Sequence, residues 1–317
     1  MPDLALLHAS RRAMATTFEI MLPVDQPLGL AAAAEAFDLI DELEDQLTVY
    51  RNHSEISDIN RTAFGADVSV EARLFQLLSH AAVLTRQTQG TFDIATGALT
   101  KAWGFYQRSG QVPTVAERSA AMQRTGMRHV ILDAARQTIR FRRQGLELNL
   151  GGIGKGYALD RAAELLQTTR SIDSALLHGG TSSVRAVGYP PGHAAGWVVA
   201  LKHPDDESKI LGNITLNNEA LGTSAATYQY FEYKGHRLGH LLDPRQGWPA
   251  EGNRQATAIA PTAAEADALS TAFFVMKPDE IRLYCLQHPH IGAVILSPDV
   301  AEPLTWNLQP GRFTAAR

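Results

Sequence analysis

LNLGGIGKGYALD, residues 148–160, decides which class of fold this chain can take. LELNL at 146–150 alternates apolar and polar residues as a strand does. Gly151 to Gly156 make a glycine-rich turn, and helical spacing follows from about Tyr157 to Leu166. Strand, glycine turn and helix in this order invite a nucleotide-loop reading, but the spacing fails it. A P-loop keeps four residues between its glycines and a Ser or Thr after its Lys. Here Gly156 follows Lys155, and the GxGxxG spacing of dinucleotide folds is absent too. Two readings stay open for the turn. Backbone amides at a helix start beside an ammonium suit a phosphate or pyrophosphate. The same glycines would also allow close packing.

Outward from this segment, strands and helices mix without strict βαβ alternation. TTFEIML (16–22) reads as a strand, and Leu30, Ala34, Phe37, Ile40, Leu43 and Leu47 mark an amphipathic helix over 29–50. SEISDIN (54–60) reads as a capped short helix, and a further helix spans 71–89, stopped by Gly90. Thr114 with Glu117 opens a third long helix that runs to Gly126. HVILD (129–133) and TIRFR (138–142) form a hairpin. Beyond residue 166 strands dominate: SALLHGG, GWVVALK, GNITLN, HRLGHLLD, QATAIA and a closing IGAVIL. Thr262 and Glu265 cap a helix carrying EADALSTAFFVM, and Pro278 starts a shorter one. This pattern predicts an α+β fold of layered sheets flanked by helices, not a doubly wound sheet.

The chain has 317 residues, 45% of them apolar and 20% charged, enough for a sizeable core. Its 29 basic and 33 acidic side chains give a net charge of −4, without the basic excess that duplex nucleic acid demands. Cys285 is its one cysteine, so no disulfide framework supports the fold. The opening residues lack the basic-then-apolar order of a secretory signal, and no run reaches the length of a membrane helix. The chain therefore reads as soluble and cytoplasmic, with no membrane insertion.

Three further segments carry chemistry-bearing side chains. HLLDPRQGWP (240–249) places His240 at the edge of an apolar strand, directly before an Asp243-Pro244 turn. In EADALST (265–271), Asp267 and Thr271 lie four apart on a helix, hence on one face. A carboxylate and a hydroxyl so stacked make two ligands for a hard cation such as Mg2+. Alternatively, Thr271 simply bonds back to the carbonyl of Asp267. GTFDIATGALTKAWGF (90–105) holds Asp93 among small and apolar residues, with Trp103 and Phe105 reading as core.

Taken in order, MATTFEI, SEISDIN, GTFDIATGAL with WGF, LNLGGIGKGYALD, LHGGTSSVRAVG, LGTSAATYQYF, HLLDPRQGWP and EADALSTAFFVM resemble the ApbE family of FAD:protein FMN transferases. The likeness runs from about residue 13 to 297, and GGIGKGYALD, HLLDPRQG and ADALST are its most specific pieces. It implies one domain over 1–317 built of two interleaved lobes, with FAD in a cleft between them and with 1–12 and 310–317 frayed. It also implies transfer of FMN from FAD to a Thr or Ser hydroxyl of an acceptor flavoprotein, with release of AMP.

By resemblance, Asp267 and Thr271 match the Mg2+-binding side chains, and Gly152 matches a ligand that serves through its carbonyl. His240 matches the histidine that activates the acceptor hydroxyl, a base whose ordinary pKa of ~6.5 suits neutral pH. Met14, Tyr50, Thr91, Phe92, Asp93, Asn149, Lys155 and Leu241 match positions that line the flavin nucleotide. The chain also departs from the pattern. Met14-Ala15-Thr16 stands for MGT, and Asn149 for Asp. Gly179-Gly180-Thr181 stands for GGD, and Thr223-Ser224-Ala225-Ala226-Thr227-Tyr228 for TSGDY. Fewer carboxylates imply weaker cation binding. Two alternatives accompany the transferase reading: a non-catalytic FAD-binding protein, and an FAD pyrophosphatase giving FMN and AMP.

Overall fold

The computed structural model describes residues 5–107, 110–225, 230–233, 235–298, 300 and 302–316. Ala226, Thr227 and Tyr228, three of the departing positions, lie outside these, as do residues 1–4 and 317 of the ends expected to fray. The α-helices among the described residues are α1 (Gly29–Leu47), α2 (Glu55–Thr62), α3 (Ala72–Gln87), α4 (Gly97–Ala102), α5 (Val115–Met122), α6 (Gly154–Arg170), α7 (Ala263–Val275) and α8 (Pro278–Gln287). The chain forms two compact units of interleaved segments, Met1–Glu44, Ile153–Ala225 and Asn253–Arg317 in the first, Asp45–Gly152 and Ala226–Gly252 in the second. Among the described residues no helix is long and apolar enough to cross a membrane.

The first unit is built on an eight-stranded sheet. Its strands follow one another in space as they do in sequence: Leu6–Ala13, Thr16–Pro23, Ala175–Gly179, Ser183–Val187, Ala220–Ala225, Gln255–Ala260, Gly292–Leu296 and Leu304–Trp306. Every neighbouring pair is antiparallel. Val184, Ala186, Leu221, Ile259 and Val294 pack against Trp197, Val199, Ile214 and Leu216 of a second sheet, formed by Trp197–His203, Asp206–Leu216 and Phe313–Ala315. α6 and α7 lie on the eight-stranded sheet as well. QATAIA (255–260) is buried along its whole length, as expected of a strand covered on both faces.

α7 is buried on nearly every side, and two glycines make that possible. A Cβ on Gly156, in the first turn of α6, would overlap the Ala263 carbonyl; one on Gly222 would overlap that of Ala266. Backbone meets backbone on both sides of α7, so its position is fixed by contacts that any larger residue would push apart.

In the second unit, Trp103 is fully buried with Leu99, Ala121 and Leu238 around it. Its indole N–H donates to the Gly247 carbonyl at 3.0 Å, tying the 242–249 turn to this small core. The hairpin of Val130–Asp133 and Thr138–Phe141 forms as expected, and Val68–Ser69 adds to its edge. The Thr114–Glu117 capping box is present.

Several expectations are corrected. LELNL is buried but is not a strand. Its backbone groups go to Asn60, Gly97 and Ile94 rather than to a neighbouring strand. α6 begins at Gly154, not Tyr157, so Lys155 belongs to the helix. HRLGHLLD divides at His240-Leu241 into strands His236–Gly239 and Leu242–Asp243. α5 stops at Met122, where a turn leads to Gly126 at φ 114°. Both ends expected to fray contribute strands, because Leu6–Ala13 pairs with Thr16–Pro23 and Phe313–Ala315 pairs with the 206–216 strand.

The first hairpin turns on two residues, Met14 at φ 48° and Ala15 at φ 60°. Such a tight turn needs positive φ twice and favours Gly or Asn there. Left-handed backbone costs an L-residue about 1–2 kcal/mol, partly offset in glycine by its freer unfolded chain. Ala15→Gly should therefore raise stability by about 0.5–1 kcal/mol in equilibrium denaturation. An unchanged or lower midpoint would show that the turn is not strained.

Candidate active site

The first unit brings Lys155, Asp267 and Thr271 together. Asp267, near the middle of α7, is buried, and its Oδ2 accepts the Gly156 amide at 2.7 Å. Burial pushes its carboxyl above the ordinary range; the Lys155 ammonium, the Ser183 hydroxyl and the Gly156 amide pull the other way. Hydroxyls surround it. Ser270 and Thr271 donate to the Asp267 carbonyl at 2.9 and 3.1 Å, and Ser224 stands 3.0 Å from Ser270 and 3.5 Å from Thr271. The back-bonded reading of Thr271 therefore holds, and its hydroxyl oxygen keeps lone pairs for a cation. Ser183, Ser224 and Ser270 were not singled out from sequence. Only Ser270, three residues after Asp267 on a helix, offered a periodicity signal.

Asp160 is a second, half-buried carboxylate that sequence reading passed over. It projects from α6 and accepts the Ala263 and Ala264 amides at 2.8 Å each. Those amides belong to the first turn of α7, which lacks intrahelical partners for them. Arg185 lies 3.6 Å away. Desolvation outweighs these groups and raises Asp160 to about 6. Met14 sits elsewhere in this unit, at the first hairpin turn, where its amide donates to Glu44 at 2.6 Å.

The second unit gathers three loops. Asp93 accepts from Ala95 at 2.7 Å and from Met127 at 2.9 Å, while burial raises its carboxyl against those bonds and the Arg128 charge. Thr91 and Phe92 are buried, the Thr91 hydroxyl donating to Thr88. Asn149 donates its amide to Ile94 at 2.7 Å, and its side chain accepts from Gly151 at 2.9 Å. The oxygen of Asn149 thus fixes the turn into Gly152, work that a carboxylate could do as well. The stem of Arg245 rests 3.7 Å from a Cβ built on Gly90, which sets the 241–250 turn beside the 90–95 loop. In that turn Asp243 is buried and grips Arg245 and Gln246, and Leu241 accepts from Ala250 at 2.7 Å. His240 is half-buried at the start of the turn. Tyr50 is 65% exposed, one ring face near Tyr106 at 4.8 Å.

These observations predict distinct behaviour for Asp160. Asp160→Ala leaves two buried amides without acceptors, worth about 1–3 kcal/mol each in lost stability. Because the folded chain keeps a proton on Asp160 up to about pH 6 that the unfolded chain releases near 4, stability falls as pH rises through that window. Asp160→Asn, neutral throughout, should flatten this fall. Denaturation midpoints at the two ends of the window measure it, and an unaltered slope would contradict the assignment.

The same chain is similar to known proteins over most of its length. The ApbE family model matches residues 14–295. The FAD:protein FMN transferase of Klebsiella pneumoniae is 34% identical over 271 residues, 84% of this chain and 82% of that protein. That of Treponema pallidum is 30% identical, over 85% of this chain and 78% of its own. The crystal structure of the ApbE protein from Thermotoga maritima superposes with a TM-score of 0.83 at 29% identity, covering 92% of this chain and 94% of that one. The apo flavinyl transferase ApbE of Pseudomonas stutzeri gives 0.82 at 25% identity, covering 95% and 94%. With its motifs, its fold and this breadth of match, the chain belongs to the ApbE family.

Proposed function

We propose that this chain carries out the reaction its relatives are named for, moving FMN from FAD to a Thr or Ser hydroxyl of a partner flavoprotein and releasing AMP. The observation that supports this most is the Asp267 carboxylate, buried beneath the α6 N-terminus, beside Lys155 and among hydroxyls. A helix start that carries no acidic residue in its first turn, together with an ammonium, suits the pyrophosphate of FAD. Met14, Tyr50, Thr91, Phe92, Asp93, Asn149 and Leu241 line the rest of the nucleotide in this reading.

Asp267 and Thr271, with the Gly152 carbonyl, are the residues that would hold Mg2+. The donors are hard oxygens with one carboxylate charge, and no group of three His, Cys, Asp or Glu among the described residues could hold a metal ion. Such a set fits a cation that keeps waters and shares phosphate oxygens. Bound there, Mg2+ would neutralise charge on the phosphates. His240 takes the proton of the acceptor hydroxyl as its oxygen attacks the FMN phosphorus. The new P–O bond forms as the bond to the AMP phosphate breaks, and AMP leaves.

Two substitutions test the roles separately. Asp267→Ala should shift the Mg2+ titration of AMP release strongly, whereas Asp205→Ala, at an exposed site, should not. Equal titrations would place the cation elsewhere. His240→Ala should lower FMN transfer about 10²–10⁴-fold while leaving FAD affinity intact, since the base acts on the acceptor hydroxyl. Joint loss of FAD binding and stability in His240→Ala would reduce this residue to packing. AMP release without any acceptor requirement would favour the pyrophosphatase, and FAD binding without AMP the carrier.

A further inference from the structure

Charge is unevenly spread along the chain. Residues 118–145 hold seven of its 29 basic side chains and one, Asp133, of its 33 acidic ones. The fold of the second unit gathers part of this excess on one face. Arg142 donates its amide to the His129 carbonyl at 2.8 Å, which sets the 142–143 segment against 128–129. Arg128, Arg142 and Arg143 are all exposed. They act on His129 together, adding to the effect of burial in holding its ring toward the neutral form. The side chain of Arg124 lies over Gly145, beside them.

These guanidiniums are available in a way their neighbours are not. Arg140 is paired with Asp67 at 3.5 Å, and Arg118 sits over the Trp248 ring at 4.8 Å. Asp93 feels the Arg128 charge, but its oxygens are taken by the Met127 and Ala95 amides. Among the described residues, no carboxylate forms a salt bridge with Arg128, Arg142 or Arg143. Exposed guanidiniums in a cluster repel one another, and a matching anionic surface relieves that repulsion with bidentate pairs.

We propose that the arginine face around His129 docks the acceptor protein through a short acidic segment beside its target hydroxyl. This rests on the transferase reading, which requires a second protein to approach the enzyme. That reaction already demands a protein partner, and an acidic segment of it would supply the carboxylates that these guanidiniums lack.

The test uses the full-length chain and a fluorescein-labelled oligo-glutamate peptide, with binding read by anisotropy. The parent should bind the peptide, and binding should weaken as salt rises. The triple charge reversal R128E/R142E/R143E should lose about tenfold or more of that affinity. A control reversal of equal charge, R12E/R86E/R282E, should lose much less. FAD affinity, measured on the same proteins by the change in flavin fluorescence, should be equal in parent and variants, which shows that fold and nucleotide site are intact. No binding by the parent, or equal losses in patch and control variants, would overturn the proposal. So would binding of phosphatidylglycerol vesicles or duplex DNA in place of the peptide. Failure of the parent to bind FAD would instead count against the transferase reading, with the peptide result still standing on its own.

Discussion

The approach of two glycine backbones to α7 is the constraint on which the first unit depends. Gly156 and Gly222 let α6 and the 220–225 strand meet α7 at distances that admit no Cβ. Asp160 anchors the start of α7, and the backbone contacts set how closely the helix meets its neighbours. They also bring the Gly156 amide to Asp267, so one close approach both packs the helix and orients its carboxylate. A site of this kind is set by main-chain geometry, and its side chains then have little room to wander.

Two carboxylates, Asp267 buried and Asp160 half-buried, divide the work around α7. Asp160 accepts the amides of the helix start and so satisfies donors that the helix leaves open. Asp267 sits one helical turn further on, among hydroxyls and near Lys155. Both are raised by burial, and each raises the other's cost, since Asp267 is among the charges acting on Asp160. Placing two like charges in one apolar region is unfavourable unless cations are close. Arg185 faces Asp160, and Lys155 faces Asp267. A divalent cation at Asp267 would lower that cost further, a physical reason for the carboxylate to remain where an apolar residue would pack more stably.

Much of this was legible in the sequence, and the exceptions have causes. Asp267 and Thr271 were visible because helical periodicity places i and i+4 on one face. The Thr114 capping box and the 130–141 hairpin were visible because their signals are local. LELNL was misread because alternation marks an extended segment without saying what its amides will bond, and here they bond Asn60 and two loops. Asp160 and Ser224 were missed because their partners lie far along the chain. The role of Gly222 was hidden in the same way. A lone glycine in a strand looks like a weakness until the helix against it is known. His240 rests on family likeness alone as the proposed base, since a single histidine at a strand end carries no signal of its own.

The central claim is that α7, fixed by its glycine neighbours, presents Asp267 and Thr271 as a cation site serving the FAD phosphates. Crystals of the parent protein soaked with FAD and Mn2+ test it most directly, through an anomalous difference map. The account predicts a peak at coordination distance from the Asp267 carboxylate and the Thr271 hydroxyl, with FAD phosphate density reaching toward Lys155. FAD bound without a peak there, or a peak held by other residues, would contradict it.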